Sequence, residues 1–339
     1  MIRNPSNYYA SIVNFRILIC FFIFTGLIIY GCSVSKQNIT SGDIVIKLPG
    51  EIADSKQEFS SMYLKDDAVW LMPQYPDSLN HSIYSIEKQA IEDAINSGSI
   101  IKEFGRISVN GLKNFKDRIG GSYEGLEAVV VIGNKVFFTI ETKPPNKNCY
   151  LIRGTLQGDQ IIIDNNRLYV LPKLKMLTNA GFEAMEYLPE KGKLLLFFEY
   201  NKADIGSKAL LVDTSLTGKA DTMLFQPLMY RLTDVTVSGN KLLGINYHYN
   251  RSRVERPEYI GADSLFVEPD LEGKTIKEAS MSRIIEIKIG NGLTWKSKKV
   301  IEISDGIIAN NWEGIVPFKK GVLLVSDEYS KTVLKYLKL

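Results

Sequence analysis

One hairpin pattern recurs through this sequence and constrains the fold more than any other feature. Each copy has a short polar opening, an apolar strand, a tight turn, a second apolar strand and a polar or aromatic ending. Clear copies span residues 123–142, 182–201, 232–250 and 312–330, and a weaker copy spans 59–76. The turns are Gly133-Asn134-Lys135, Lys191-Gly192-Lys193, Gly239-Asn240-Lys241, Lys320-Gly321 and Asp66-Asp67. Repetition of one supersecondary unit predicts an array in which each unit packs on its neighbours.

Further strand-like runs follow the hairpins and indicate an all-β fold. The runs are 149–156, 160–171, 208–216, 222–228, 283–289 and 298–303. Two extra strands for each hairpin make a four-stranded sheet, and consecutive sheets of this kind are the blades of a β-propeller. The last copy is followed by a single strand, 332–339, so we expect the strand at 43–49 to complete its sheet and close the ring. This count favours five blades, and six remain open if 251–310 contains a degenerate blade.

Two segments fit the repeat poorly. Residues 251–280 are charged and interrupted by Pro257 and Pro269, which is typical of a long excursion that serves as a functional lid or a loop. Residues 84–97 have the spacing of a short helix or a polar turn. We interpret them as a decoration on the first blade.

The acidic openings occupy equivalent places in successive copies. First strands of a propeller run along the central axis, so equivalent positions converge there. The candidate positions are Ser60, Glu124, Glu183, Asp234 and Glu313. Converging carboxylates repel one another, which either raises their pKa values or requires a cation. Oxygen ligands without His or Cys favour Ca²⁺ over Mg²⁺. The alternative is a water-filled channel in which each acid pairs locally, as Asp234 would with Arg231.

The second strands end in a matching polar set, which we expect at the same mouth of the channel. Mixed polar and aromatic groups around a mouth are typical of a small-ligand site, although aromatic residues there also pack between blades. The candidates for binding a small molecule or a protein are Gln74, Glu141, Lys143, Glu199, Asn201, Asn246, His248, Asp327 and Glu328.

The amino-terminal segment predicts export. Arg3 and Arg16 precede a short apolar run, 17–30, which is typical of a secretory signal. The sequence Ile29-Tyr30-Gly31-Cys32 resembles a bacterial lipobox, although Tyr30 departs from its usual pattern and leaves an uncleaved anchor as the alternative. The resemblance implies residues 1–31 as signal peptide and lipidation of Cys32. The polar composition of 33–42 predicts a tether, and the repeats predict a propeller over 43–339. Ser33 after the cysteine implies the outer membrane.

Charge and residue usage exclude several classes of function. A formal net charge of +3 over 339 residues gives no electrostatic reason to expect a nucleic-acid partner. Without the signal and a lipidated Cys32, only Cys149 remains, so no intramolecular disulfide is expected. The chain has two histidines, and it contains no nucleophile elbow, Walker loop or His-Glu-x-x-His motif.

The strand openings also resemble a known family. Glu-Gly-Leu at 124–126, Glu-Gly-Ile at 313–315 and Ser-Asp-Glu at 326–328 resemble the phytase-like and SdiA-regulated secreted propellers, and 123–127 is similar to calcium-dependent apyrases. The resemblance implies five blades and an axial Ca²⁺, with Ser60, Glu124, Glu183 and Glu313 as ligands. It would also imply metal-dependent hydrolysis of phosphate esters or anhydrides.

Two functions therefore stand at this point. The favoured one is a binding or scaffolding propeller in which the ion and the acids hold the blades together. The other is a metal-dependent phosphoester or phosphoanhydride hydrolase. The fold alone does not decide between them.

Overall fold

The computed structural model describes residues 43–78, 81–177, 179–201, 206–248, 280–304, 310–327 and 331–339. The predicted signal, Cys32, the tether and nearly all of the excursion at 251–280 lie outside these ranges. Among the described residues, no helix has the length and apolar character needed to span a membrane.

The described strands form antiparallel meanders, each built from consecutive strands except for β1, which joins the last one. The first meander contains β2 (Phe59–Lys65), β3 (Ala68–Pro73), β4 (Ile83–Glu87) and β5 (Gly105–Asn110). The second contains β6 (Tyr123–Ile132), β7 (Lys135–Thr142), β8 (Asn148–Gln157) and β9 (Gln160–Pro172). Short parallel pairing of β5 with β9 joins these two into one eight-stranded sheet.

The remaining strands form separate four-stranded sheets. The third meander contains β10 (Ala184–Leu188), β11 (Lys193–Phe197), β12 (Lys208–Asp213) and β13 (Asp221–Leu224). The fourth contains β14 (Arg231–Ser238), β15 (Lys241–His248), β16 (Ser280–Ile289) and β17 (Leu293–Ser304). The fifth contains β18 (Trp312–Phe318), β19 (Gly321–Ser326), β20 (Leu334–Lys338) and, at its outer edge, β1 (Ile44–Ile46).

The first strands of the meanders contact one another in a closed ring. β2 contacts β6 and β18, while β10 contacts β6 and β14, and β14 contacts β18. The predicted all-β, propeller-like architecture is therefore confirmed. β1 pairs antiparallel with β20, so strands from the two ends of the described chain share a sheet, as the sequence predicted.

Turns join the first two strands of each meander at or close to the predicted places. Four of these hairpins have two-residue turns, and the first turn residue has positive φ in each. These residues are Asp66, Gly133, Gly239 and Lys319. The turns that begin at Asp66, Gly133 and Gly239 match the prediction, whereas the last turn, Lys319-Lys320, begins one residue before the predicted Lys320-Gly321.

Two elements differ from the sequence-based expectation. Residues 84–87 belong to β4, and the helix α1 begins only afterwards, at Lys88–Ser97. A second helix, α2 (Leu112–Ile119), and the strand β5 were not predicted. β4 is too short for its alternation to be distinguished from a helical pattern, so pairing with β3 decided its structure.

The hydrophobic core lies between adjacent meanders. The described residues form five buried clusters, and each cluster combines side chains from two neighbouring meanders. In one of them, Ile245 and Ile284 of the fourth meander pack with Ile315 and Leu324 of the fifth. Cys149 is a free, buried thiol, so packing rather than a disulfide stabilises the described part of the chain.

The described part of 251–310 does not form a further meander. β16 pairs with β15 and β17 pairs with β16, so these strands complete the fourth sheet.

Candidate functional site

The first strands open with β-bulges that redirect their polar side chains. Register shifts between Phe59 and Ser61, Tyr123 and Gly125, and Trp312 and Gly314 leave one residue unpaired in each strand. The unpaired residues are Ser60, Glu124 and Glu313. A bulge re-aims the side chain it carries, and bulges are common next to functional sites.

The third meander has the same extra residue just before its first strand. Gly181 O accepts a hydrogen bond from Glu199 N, whereas Ala184 pairs with Phe197. The chain therefore advances three residues from Gly181 to Ala184 while its partner spans only two, from Phe197 to Glu199. Glu183 lies within this irregular step. It therefore takes a place equivalent to that of Glu124 and Glu313.

The fourth meander differs from the sequence-based register by one residue. Its bulge lies between Leu232 and Asp234, so the equivalent position is Thr233 and not Asp234. The Thr233 hydroxyl donates to Trp312 O at 2.6 Å. A shift of one residue along a strand turns a side chain to the opposite direction, which explains why Asp234 does not join the other openings.

Asp234 instead accepts hydrogen bonds from backbone amides. Its Oδ1 accepts from Val235 N at 2.8 Å and its Oδ2 from Ile315 N at 2.9 Å. Burial raises the pKa of Asp234 well above its usual range, although these amide donors oppose the shift. The carboxyl group thus links β14 to β18 and does not line the cavity described next.

A cavity of about 400 Å³ opens at the end of the ring where the first strands begin. Its lining includes Ser60, Gln74 and Asn311 together with a concentration of acidic groups. The lining carboxylates are Glu58, Glu124, Glu127, Glu141, Glu183, Glu313 and Asp327. Arg231 contributes the one basic side chain among the described lining residues.

Several of these carboxylates have a buried oxygen without a hydrogen-bond partner. The atoms are Glu124 Oε2, Glu141 Oε1 and Glu183 Oε2, and Asn311 Oδ1 shares this property. Glu141 and Glu183 are 1% and 3% exposed, respectively. Buried polar atoms almost always have partners, so this concentration of unpartnered acceptors indicates a place for a donor or a cation.

Arg231 is held between two glutamates. Its Nη2 donates to Glu183 Oε1 at 2.8 Å, and its Nε contacts Glu199 Oε2. Burial opposes the charge on the guanidinium, but Glu183 and Glu199 outweigh burial and raise the pKa of Arg231 further. This cation therefore offsets part of the negative charge of the site.

Three lining carboxyl groups, those of Glu127, Glu141 and Glu313, have pKa values shifted toward the protonated form. Burial, followed by repulsion from Glu183, raises the pKa of Glu141 to about 8. Burial and neighbouring carboxylates likewise raise the pKa values of Glu127 and Glu313 well above the usual range. Like charges in a small buried volume cannot all ionise without a counter-ion, so the site binds either protons or a cation.

The predicted mouth residues separate into several groups. Gln74, Glu141 and Asp327 line the cavity, and Gln74 Nε2 donates to Glu127 Oε1 at 2.8 Å. Glu199 lies behind them against Arg231. Lys143 is exposed. Burial raises the pKa of Glu124, and the charges of Lys173 and Lys143 oppose this shift.

The other mouth residues do not line the cavity. Asn246 Oδ1 accepts from Arg283 Nε at 2.8 Å, while the His248 ring stacks on Tyr230 with centroids 4.2 Å apart. Asn201 is buried and its amide contacts Phe198 O. Glu328 lies outside the described residues.

Two lining carboxylates, Glu58 and Glu127, were missed from the sequence. Glu127 lies three positions after Glu124, an odd spacing that simple strand alternation places on the opposite face. The pairing of β6 with β7 shifts register at Glu124 and again between Leu126 and Val129, where Glu127 lies, and both glutamates line the same cavity. Glu186 follows Glu183 at the same spacing in the third meander, but it does not line the cavity, and the other openings have no acid three residues later.

The described residues contain no set of three or more acidic, histidine or cysteine side chains arranged to hold a metal ion. The acids share a cavity without forming a compact ligand set. The donor chemistry, carboxylate and amide oxygens, is nevertheless that of a hard-cation site.

Comparisons with known proteins assign no family. No family model and no curated protein matches the chain. The resemblance to phytase-like, SdiA-regulated and apyrase propellers therefore stays a prediction.

Several solved structures with β-propeller-like folds are similar to the chain. RS223-β-xylosidase is 9% identical with a TM-score of 0.47, over 84% of this chain and 93% of that one. A putative oxidoreductase (glucose dehydrogenase) from Thermus thermophilus is 10% identical with a TM-score of 0.45, over 87% and 100%. The extracellular domain of a putative hybrid two-component system from B. thetaiotaomicron is 10% identical with a TM-score of 0.36, over 82% of this chain and 27% of that one. Similarity at this level assigns neither substrate nor activity.

Proposed function

We propose that the domain is a cation-binding propeller that takes Ca²⁺ at the acidic end of its axis. The observation that carries the proposal is the set of unpartnered, buried oxygens of Glu124, Glu141 and Glu183 around one cavity. A divalent cation would neutralise the carboxylates that otherwise hold protons. Its binding and the deprotonation of Glu141 would therefore occur together.

Ca²⁺ is a better candidate than Mg²⁺ for this cavity. Ca²⁺ accepts six to eight oxygen ligands in irregular geometry, whereas Mg²⁺ requires a nearly ideal octahedron. The described acids do not form a compact set, so binding has to draw carboxylates inward, and water or the neutral oxygens of Ser60, Gln74 and Asn311 would complete the coordination. Of the five sequence candidates, Ser60, Glu124, Glu183 and Glu313 are retained as ligands, while Asp234 is not.

The proposal includes five blades. The support comes from the five buried clusters of the described residues, each shared by two neighbouring meanders, and from the closed ring of first strands. An ion bound by Glu124, Glu183 and Glu313 would connect three meanders at the axis. In this role it stabilises the ring and organises a mouth for a small-molecule or protein ligand.

The proposal also includes attachment to the cell envelope, which rests on the sequence of residues 1–42. We propose signal cleavage before Cys32, lipidation of that cysteine and residence at the outer membrane. The mass of the amino-terminal peptide tests this part directly, because diacylated Cys32 and an uncleaved signal differ in both sequence and mass.

The geometry favours binding over phosphoester hydrolysis. Seven carboxylates line the cavity, and they repel a phosphate group unless cations bind first. Arg231, which could otherwise hold a phosphate, already pairs with Glu183 and Glu199.

The experiment that tests the proposal is thermal unfolding of the full chain in detergent at pH 8, first with chelator and then with Ca²⁺ or Mg²⁺. A ligand at 100 times its dissociation constant stabilises a protein by about 2.7 kcal/mol, so Ca²⁺ should raise the midpoint by several degrees. Glu124→Gln with Glu183→Gln should abolish the rise. The matched control is Glu190→Gln with Glu103→Gln, which alters exposed or half-exposed carboxylates outside the cavity. No Ca²⁺-dependent rise, or an equal rise in both double variants, would refute the site.

A further inference from the structure

A cluster of lysines surrounds the point where the described chain begins. Asp43 immediately precedes β1, and Lys299 Nζ lies 3.7 Å from Asp43 Oδ1. The same Nζ donates to Lys338 O at 2.5 Å, and Leu339 N donates to Lys320 O at 3.3 Å. Contacts thus connect β17, the end of β20 and the β18–β19 turn at this one place.

The cluster has a surplus of positive charge. Lys298, Lys320 and Lys338 are exposed, and none has an ion pair within the described part of the chain. The acids nearby already have lysine partners: Asp43 pairs with Lys299, and Glu92 pairs with Lys319 at 3.1 Å. We call Lys298, Lys299, Lys320 and Lys338 the entry lysines.

The entry lysines lie away from the acidic cavity. β18 begins beside Glu313 at the cavity and runs for seven residues to the turn at Lys319-Lys320. At about 3.3 Å per residue, that strand separates the two places by roughly 20 Å. Lys338 pairs with Gly321 across the β19–β20 ladder, so it lies at the same far end.

We propose that the entry lysines form a docking surface for the anionic headgroups of the bilayer to which the chain is attached. This inference builds on the proposed envelope attachment but not on the Ca²⁺ site. Residues 33–42 would connect Cys32 to Asp43, and ten residues reach about 35 Å at most even when fully extended. The tether therefore limits how far the entry point can move from the membrane, and each lysine that comes close to anionic lipid adds favourable electrostatic energy.

Docking at this place determines the orientation of the domain. The far end of β18 faces the bilayer, and the acidic cavity near Glu313 is turned away from it. This arrangement also keeps the cavity carboxylates away from the negative lipid surface, which would repel them. The mouth is then open to a soluble ligand or partner.

The test measures lysine accessibility on vesicles. The full chain is reconstituted into neutral phosphatidylcholine vesicles or into vesicles with 30% phosphatidylglycerol, then treated with a membrane-impermeant acetylating reagent at low and high salt. Acetylation of Lys319, which borders the cluster and remains in every variant, is measured by mass spectrometry. We expect it to fall roughly threefold or more on anionic vesicles at low salt and to recover at 500 mM salt.

Matched variants separate the surface from general charge effects. Lys298→Gln, Lys320→Gln and Lys338→Gln together should remove the lipid dependence of Lys319 acetylation. Lys102→Gln, Lys147→Gln and Lys219→Gln remove the same charge from exposed lysines elsewhere and should retain it. Equal acetylation of the wild type on both lipids, or equal loss in both triple variants, would overturn the proposal.

Flotation of the same samples measures membrane attachment separately from docking. Either a lipidated Cys32 or an uncleaved apolar run should bring the protein up with neutral vesicles. Flotation with anionic vesicles alone, reversed by salt, would refute the anchor while supporting the docking surface. Flotation with both vesicle types and no change at Lys319 would support the anchor and refute docking.

Discussion

Arg231 and Glu183 form an ion pair between two neighbouring meanders, with Arg231 Nη2 2.8 Å from Glu183 Oε1. Arg231 begins β14, whereas Glu183 lies just before β10. The side chains are 13% and 4% exposed, so water screens the pair only weakly. One buried cation thus shares a cavity with seven lining carboxylates, and this imbalance determines how the site should respond to mutation, pH and metal.

Removing the internal cation should destabilise the domain. Arg231→Met leaves Glu183 and Glu199 buried without their counter-charge, and breaking a buried pair from one side costs about 3–5 kcal/mol. Urea unfolding at pH 7.5 measures this loss. The unfolding free energy of Arg231→Lys should lie between those of the wild type and Arg231→Met, because an ammonium group cannot reproduce the planar fork that contacts both carboxylates.

An exposed ion pair provides the comparison for Arg231. Lys113 and Asp117 are 2.8 Å apart on α2, with side chains 83% and 62% exposed. Lys113→Met should cost at most about 1 kcal/mol. A loss of that small size for Arg231→Met would show that the buried pair contributes little.

Stability should fall as pH rises across the neutral range. The pKa of Glu141 is raised to about 8 in the folded protein, so the folded state keeps a proton that the unfolded chain releases near its usual pKa. The stabilisation from this group is complete below the unfolded pKa of about 4.5 and is lost as pH rises toward 8. Each such group contributes up to about 1.4 kcal/mol per pH unit within that window.

Unfolding free energies of wild type and Glu141→Gln between pH 5 and pH 8 test this assignment. The variant should show a shallower decline, because glutamine has no proton to lose. Glu190→Gln, at an exposed turn position, should parallel the wild type. Parallel curves for Glu141→Gln and wild type would rule out Glu141 as a source of the slope.

Asp234 should contribute to the stability of the fold and not to metal binding. The two carboxylate oxygens of Asp234 accept hydrogen bonds from Val235 N and Ile315 N. Asp234→Asn replaces one of these oxygens with an NH₂ group, which cannot accept. Leaving such a buried donor unsatisfied costs about 1–3 kcal/mol, so Asp234→Asn should lower the unfolding free energy by that amount. The rise produced by Ca²⁺ should remain as large as in wild type.

The exposed Asp117→Asn serves as the control for the stability change and should be nearly neutral. Abolition of the Ca²⁺-dependent rise by Asp234→Asn would instead return this residue to the ligand set predicted from the sequence. An unchanged unfolding free energy would show that the link to β18 is dispensable.

Local sequence predicted much of the fold. The tight turns at Gly133 and Gly239 have the chemistry that two-residue hairpins require, and this chemistry acts within a few residues. The second strands, such as β7 and β15, are long apolar runs with strong strand propensity. The first meander was less clear, because β4 is short and runs directly into α1.

The site was predicted in part. Glu124, Glu183 and Glu313 were recognised as equivalent openings, and the cavity contains all three. Asp234 was placed one position away from the true equivalent, Thr233, because a bulge shifts register without a distinct sequence signal. Glu127 was missed for the same reason.

The sequence by itself determined the repeat and most of its strands and turns, because propensity, alternation and turn chemistry are local properties of the chain. Only the tertiary structure decided which acids meet. Glu183, Glu141 and Arg231 come from different strands, and their burial, unpartnered oxygens and shifted pKa values arise when the ring closes and excludes water. Electrostatic energy in such a site depends on distances and on the local dielectric, and neither quantity exists until the meanders have packed together.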